Sequence, residues 1–260
     1  CCACTYDNDP ARTICEVCQA PKPTGRMSFW ISKSSDLEYR HKIGSGSFGT
    51  VWKGRWNGRD VAIKKLAYQG RDLEKEFRKE VDVHKQLSHQ NIVEVLAACC
   101  LPGEFAIVLK LEGQSLYAAL KSTRFTPSQM TKLASDITQG LAYLHSKNII
   151  HRDLKSLNVL LSWDKKTAKL CDFGLAKSKS SSITSTSNGI VGTMPWMAPE
   201  LMDGKTPHSF SSDVYSCGVV LWEIASRQVP YSWVNSPALI PFQISKVNHL
   251  VTFPLIAQGS

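Results

Sequence analysis

The sequence predicts an α+β protein in which a β-rich first half precedes a helical second half, with a small metal-stabilised module in front. Five of the nine cysteines fall within the first 18 residues, which marks that module. Short apolar runs separated by glycine turns follow from Leu37 through Lys64 and predict hairpin strands. Helical periodicity begins at residue 71 and returns beyond Pro127.

The N-terminal cysteines form two C-x-x-C pairs that are separated by ten residues. This spacing is typical of two thiolate pairs that close one tetrahedral zinc site. Disulfides are the alternative, and they would require an oxidising compartment, which fits poorly with the expected location inside the cell. In so short a segment the bound metal supplies the folding free energy. The predicted zinc ligands are Cys1, Cys4, Cys15 and Cys18, with Cys2 as a spare thiol.

Residues 1–20 resemble the NZF zinc finger of the Ran-binding protein type, and Asn8 falls where that family has its asparagine. The family's tryptophan is expected upstream of Cys1, so we expect the finger to be truncated at its N-terminus. In ubiquitin-binding members, a threonine, an aromatic residue and an apolar residue contact ubiquitin. The resemblance therefore implies ubiquitin or ubiquitinated proteins as partners, with RNA binding or a purely structural knuckle as alternatives. The corresponding residues are Thr5, Tyr6 and Val17.

Residues 21–36 are rich in proline, glycine and serine, which predicts a linker. The apolar residues 29–31 interrupt it, and we expect them to dock onto the domain that occupies residues 37–260.

A glycine-rich string opens that domain, and residues 44–51 read G-S-G-S-F-G-T-V. Glycines let backbone amides approach phosphate groups closely. A dinucleotide-binding fold uses a similar string but requires a helix directly afterwards. Here residues 51–54 continue as a strand, which favours a hairpin. The predicted nucleotide-binding residues of this string are Gly44, Ser45, Gly46, Ser47, Phe48, Gly49 and Val51.

Lys64 ends the string V-A-I-K, thirteen residues after Val51. Its ammonium could bind the α- and β-phosphates of ATP if a carboxylate oriented it. The helical pattern of residues 71–87 puts Glu80 on the inward stripe as the preferred carboxylate, and Glu76 is the runner-up. His84 lies on the same apolar stripe, either as a core histidine or as a sensor or ligand.

Residues 151–158 read H-R-D-L-K-S-L-N, and residues 172–174 read D-F-G. These two motifs are typical of phosphoryl transfer, which needs positioning and charge neutralisation. In them Asp153 would accept the substrate hydroxyl proton and Lys155 would steady the γ-phosphate. Asn158 and Asp172 would hold Mg²⁺.

Together with M-A-P-E at residues 197–200 and an anchoring Asp213, these motifs resemble the protein kinase family over residues 38 to about 250. The resemblance implies a bilobal fold, ATP and Mg²⁺ as cofactors, and protein substrates in signalling. A lysine at position 155 is typical of Ser/Thr kinases, so the chain resembles that class. It also resembles the tyrosine-kinase-like group, which includes Raf-like and mixed-lineage kinases, at Ser156-Leu157 and Trp196-Met197. Arg152 beside Asp153 implies pairing with a phosphate on the activation segment, where the serines and threonines of residues 180–187 are the candidates. The alternative is that these residues form only a flexible polar loop. The resemblance places Leu109 at the gate of the adenine pocket, whose walls are Ile43, Val51, Ala62 and Leu160.

The net charge of +9 comes from dispersed lysines and arginines, which argues against nucleic-acid binding. No apolar run approaches the roughly 20 residues that span a bilayer, so we expect a cytoplasmic protein, with the nucleus left open. We also expect the family's last helices, and the arginine that pairs with a buried Glu200, to be missing after Asn248. That expectation leaves an inactive or truncated kinase-like scaffold as the alternative function.

Overall fold

A computed structural model describes residues 29–46, 49–66, 73–101, 103–173 and 194–246. The predicted zinc finger of residues 1–20 lies outside these ranges, as do Ser47, Phe48 and the segment of residues 174–193. In the part of the chain that is described, no helix is both long and apolar enough to cross a bilayer.

The first lobe is a six-stranded sheet with one helix on its face. The elements are β1 (Trp30–Ile31), β2 (Leu37–Gly46), β3 (Gly49–Trp56), β4 (Arg59–Leu66), α1 (Leu73–His84), β5 (Val95–Leu101) and β6 (Glu104–Lys110). The strand order in the sheet is β1-β5-β6-β4-β3-β2, and all neighbours are antiparallel except β1 and β5. Phe77 and Val81 of helix α1 are fully buried against this sheet.

The turn between β2 and β3 requires a glycine at its exit. Gly49 has a φ of +142°, and a Cβ there would lie 2.1 Å from the carbonyl oxygen of Lys65. No other residue type fits so close to the backbone of β4.

The second lobe is helical and carries a two-stranded hairpin. Helix α3 begins as predicted, because Thr126 caps it in a reciprocal capping box with Gln129 and Pro127 takes its first turn. Its predicted apolar side, from Leu133 to Leu144, is buried. The elements are α2 (Leu116–Ser122), α3 (Pro127–Ser146), β7 (Val159–Leu161), β8 (Ala168–Leu170), α4 (Phe210–Ser226) and α5 (Ile240–Lys246).

The β-rich first lobe and helical second lobe confirm the predicted bilobal α+β architecture. Ile31 is buried in the sheet core and Trp30 packs beside α1, so the apolar interruption of the linker does dock onto the domain. The expectation of a buried Glu200 is wrong, because this residue is exposed. Water therefore solvates its carboxylate, and the cost of burying an unpaired charge does not arise.

Candidate active site

Lys64 and Asp172 bring the two lobes together at one point. Lys64 lies on β4 and is only 2% exposed, and its Nζ donates to Asp172 Oδ1 at 2.7 Å. Asp172 follows β8 with a φ of +61°, a left-handed conformation that is unusual for a residue with a side chain. Glu80 lies on α1, but its side chain is outside the described part, so its pairing with Lys64 stays a prediction.

Asp153 is oriented by two neighbours in its own loop. Its Oδ2 forms an ion pair with Lys155 Nζ at 2.8 Å and accepts a hydrogen bond from Asn158 Nδ2 at 2.9 Å. The same Nδ2 donates to the Asp153 backbone carbonyl at 2.7 Å. Oδ1 is buried and has no hydrogen-bond partner within the described residues. The carboxylate therefore keeps one oxygen for a proton that a bound hydroxyl would release.

The loop that carries Asp153 is fixed by the buried Asp213 at the start of α4. Its carboxylate accepts from the backbone N–H groups of His151 at 2.7 Å and Arg152 at 2.9 Å, and His145 Nε2 lies 2.9 Å away. Arg152 has a φ of +71°. Such a backbone conformation costs about 1–3 kcal/mol and persists only where the surroundings impose it. Asp213 thus anchors the loop, as the sequence predicts.

Asn158 and Asp172 are joined through the backbone. The Asn158 carbonyl accepts from the N–H of Cys171 at 3.0 Å and from its Sγ at 3.3 Å, which ties the residue before Asp172 to Asn158. Amide and carboxylate oxygens are ligands that Mg²⁺ accepts, and protein sites for it typically use few side chains together with phosphates and water. Among the described residues, no group of three or more His, Cys, Asp or Glu side chains is placed to hold a metal ion. The amide of Asn158 and the carboxylate of Asp172 are donors of the kind that Mg²⁺ takes, so they fit Mg²⁺ bound with a nucleotide.

Phe173 lies between two buried histidines. The His84 ring stacks on it with centroids 4.8 Å apart and planes at 18°, and the His151 ring meets it edge-on at 6.0 Å. Burial, with a further contribution from Lys64, lowers the pKa of His84 to about 4. Its imidazole is therefore neutral near pH 7, which favours the core-histidine interpretation over a sensor at that pH. Sequence periodicity placed His84 inward but could not reveal the stacking.

The residues predicted to form the adenine pocket lie on strands of both lobes. Ala62 and Leu109 are directly paired between β4 and β6, Val51 lies on β3, and Leu160 lies on β7. Ile43 on β2 is 49% exposed. Lys64, His84, Leu109 and Asp172 line one pocket. Nucleotide contacts by these residues and by Gly44, Ser45, Gly46 and Gly49 of β2 and β3 stay predictions.

One site residue escaped the sequence patterns. Glu223 on α4 is 1% exposed, and its carboxylate accepts from Ser156 Oγ at 2.7 Å and Trp196 Nε1 at 2.6 Å. It connects the loop of Asp153 to the segment that precedes residues 197–200. The sequence feature that could have identified Glu223 is its position as a charged residue within the apolar run of α4.

Comparison with known proteins finds relatives that cover most of this chain. Residues 37–254 match the model of the protein kinase domain. The chain is 42% identical over 215 residues to the serine/threonine-protein kinase CTR1 of Arabidopsis thaliana, which covers 79% of this chain and 26% of that protein. It is 41% identical over 226 residues to the serine/threonine-protein kinase A-Raf of Mus musculus, which covers 84% of this chain and 37% of that protein. A probable serine/threonine-protein kinase of Dictyostelium discoideum is 41% identical over 211 residues, 79% of this chain and 23% of that protein.

The kinase resemblance, including its Raf-like character, is thereby confirmed. The chain spans about a quarter to two fifths of the length of these relatives. The zinc finger stays a prediction.

Proposed function

This chain belongs to the protein kinase family, and we propose that it transfers the γ-phosphate of ATP to serine or threonine hydroxyls of protein substrates. The observation that carries the proposal is the orientation of Asp153. Lys155 and Asn158 hold one of its oxygens, and the other has no partner in the described structure. A carboxylate arranged in this way can receive the proton of a substrate hydroxyl while that hydroxyl attacks phosphorus.

The cationic groups of the site would neutralise the phosphates. Lys155 lies next to Asp153, so its ammonium can reach the transferred phosphoryl group and the attacking hydroxyl together. Lys64 points towards Asp172 and would bind the α- and β-phosphates. Asn158 and Asp172 would hold Mg²⁺, which would offset the negative charge that develops on the phosphates. Positioning and charge neutralisation are the main demands of a loose phosphoryl-transfer transition state.

Two observations support serine and threonine as acceptors. Lys155 occupies the loop position that resembles Ser/Thr kinases, and the relatives that cover most of this chain are named serine/threonine-protein kinases. Proteins with exposed serine or threonine side chains are the proposed substrates.

The test compares Asp153→Asn with the matched control Asp164→Asn, an exposed aspartate in the turn between β7 and β8. Transfer of radiolabelled phosphate from ATP to myelin basic protein is measured for each purified chain, and acid hydrolysis identifies the labelled amino acid. We expect Asp153→Asn to lower transfer about 10²–10⁴-fold, the usual contribution of a general base. The control should keep the original rate.

Equal incorporation by the original chain and Asp153→Asn would overturn the proposal and favour the alternative, an inactive scaffold. Label on tyrosine alone would overturn the choice of acceptor.

For the N-terminal segment we propose a zinc finger held by Cys1, Cys4, Cys15 and Cys18 that recruits ubiquitinated proteins in the cytoplasm. Its support is the cysteine spacing and the presence of Thr5, Tyr6 and Val17 at the contact positions of ubiquitin-binding fingers. Tyr6→Ala should abolish capture on ubiquitin-coated beads while one zinc per chain remains by atomic absorption. Capture that persists in Tyr6→Ala would contradict the contact.

A further inference from the structure

An ion pair joins the connection between the lobes, which runs from β6 to α2, to strand β8 of the second lobe. Lys169 Nζ donates to Glu112 Oε1 at 2.7 Å. The side chain of Glu112 is 4% exposed and that of Lys169 is 16% exposed, so both charges are largely removed from water. None of the sequence motifs includes either residue.

Each partner lies three positions along the chain from a residue that lines the pocket of Lys64. Glu112 comes three residues after Leu109, the predicted gate of the adenine pocket, in the connection between β6 and α2. Lys169 lies on β8, three residues before Asp172. Lys169 also pairs directly with Leu160 of β7, so these two side chains share one face of the hairpin. Leu160 is one of the predicted walls of the adenine pocket. Ala168 and Leu170, on the opposite face, point into the core of the second lobe.

Backbone contacts hold the same connection against β7. The N–H of Gly113 donates to the Leu161 carbonyl at 2.8 Å, and the N–H of Leu161 donates to the Gln114 carbonyl at 3.0 Å. A Cβ on Gly113 would lie 2.8 Å from the Leu161 carbonyl oxygen, so a glycine is needed for this approach. The ion pair extends this seam from β7 to β8.

A desolvated ion pair is weak support for stability, because apolar groups of similar volume often stabilise a fold equally well or better. An ion pair instead specifies the relative position of two segments, because each desolvated charge is stabilised only when its partner lies next to it. We propose that Glu112 and Lys169 are positioning residues that fix the connection between the lobes on the β7–β8 hairpin, and so set the nucleotide cleft between Leu109 and Asp172. The inference rests on the proposed function, because it concerns the binding of ATP by the same site.

The experiment uses the full chain and measures both nucleotide affinity and turnover. The neutral double variant Glu112→Gln/Lys169→Met removes both charges, so it leaves no unpaired charge to unfold the protein. The swapped variant Glu112→Lys/Lys169→Glu restores a pair of opposite sign. Lys166→Met, an exposed lysine of the same hairpin, is the matched control. Dissociation constants for ADP are measured by calorimetry, KM and kcat for ATP by phosphate transfer, and Tm by scanning fluorimetry.

We expect the neutral double variant to weaken ADP binding and raise KM for ATP about tenfold, with kcat within threefold and Tm within a few degrees of the original chain. The swapped variant should recover most of the affinity, and Lys166→Met should match the original chain. Unchanged affinity and KM in the neutral double variant would overturn the proposal, as would a loss in the swapped variant equal to that in the neutral one. ADP affinity tests the positioning role even if the chain transfers no phosphate. Phosphate transfer tests the proposed function, so the failure of one proposal can be told from the failure of the other.

Discussion

Glu223 should make the stability of this protein depend on pH in a way that one substitution removes. The carboxylate is buried on α4 between Ser156 and Trp196. Burial raises its pKa from an ordinary value of 4.5 to about 7, against the opposing effect of the two hydrogen bonds. Glu223→Gln keeps the shape, can still accept from the indole N–H and can donate to the serine hydroxyl. It removes only the titration.

The sign follows from the raised pKa in the folded state. Below pH 4.5 the carboxyl is protonated whether the chain is folded or unfolded, so the buried group carries no charge. As pH rises towards 7 the unfolded chain loses this proton while the folded chain keeps it, and stability falls. The shift from 4.5 to about 7 corresponds to a total of about 3 kcal/mol, of which about 2.5 kcal/mol develops between pH 5 and pH 8.

Urea unfolding of the original chain and of the Glu223→Gln variant at pH 5 and pH 8 measures this term directly, because every other titrating group is common to both. The free energy of unfolding of Glu223→Gln, relative to the original chain, should increase by about 2.5 kcal/mol from pH 5 to pH 8. For a domain of this size that change corresponds to roughly 5–10 °C in Tm. Glu200→Gln is the matched control, since that carboxylate is exposed. A difference between the two proteins that is the same at both pH values would refute the reasoning.

Substitutions at three further positions test the packing around the site. His84→Leu should keep phosphate transfer within threefold, whereas His84→Lys should abolish it, because a second buried cation would then lie close to Lys64; transfer by His84→Lys at the original rate would contradict this. Trp30→Ala removes the ring that lies 4.5 Å from the Arg78 guanidinium and should cost about 2 kcal/mol in urea unfolding, with lower transfer because α1 loses support. Asp213→Asn should lower transfer at least tenfold and destabilise by about 1–3 kcal/mol, since an amide nitrogen cannot accept the backbone N–H bonds; unchanged kinetics would exclude its anchoring role.

The residues that sequence patterns located well are those whose partners are near in the chain. Asp153, Lys155 and Asn158 lie within six positions of the chain. Their ion pair and hydrogen bond are therefore made within a single loop. Thr126 and Gln129 likewise form their capping box within one helical turn. In such cases the spacing along the chain nearly determines the spacing in space, so a short string of residues is enough to predict the contact.

Contacts between distant positions leave no comparable pattern. Lys64 and Asp172 are 108 positions apart, and no sequence pattern paired them. Glu112 and Lys169 are 57 positions apart and belong to no sequence motif, because their pairing depends on how the connection between the lobes meets β8. Strand β1 has only two residues, too few for any alternation to predict its parallel pairing with β5.

Helix α4 explains how a loop with a strained backbone can hold a defined catalytic geometry. Asp213 and Glu223 are ten residues apart on this helix, a rise of about 15 Å. The first binds the backbone of His151 and Arg152 before Asp153, and the second binds Ser156 after it. Because one rigid helix holds the loop on both sides of Asp153, displacement at one side is resisted by the contact at the other. Removal of either side chain, as in Asp213→Ala or Glu223→Ala, should therefore impair transfer, since the loop then loses one of its two anchors.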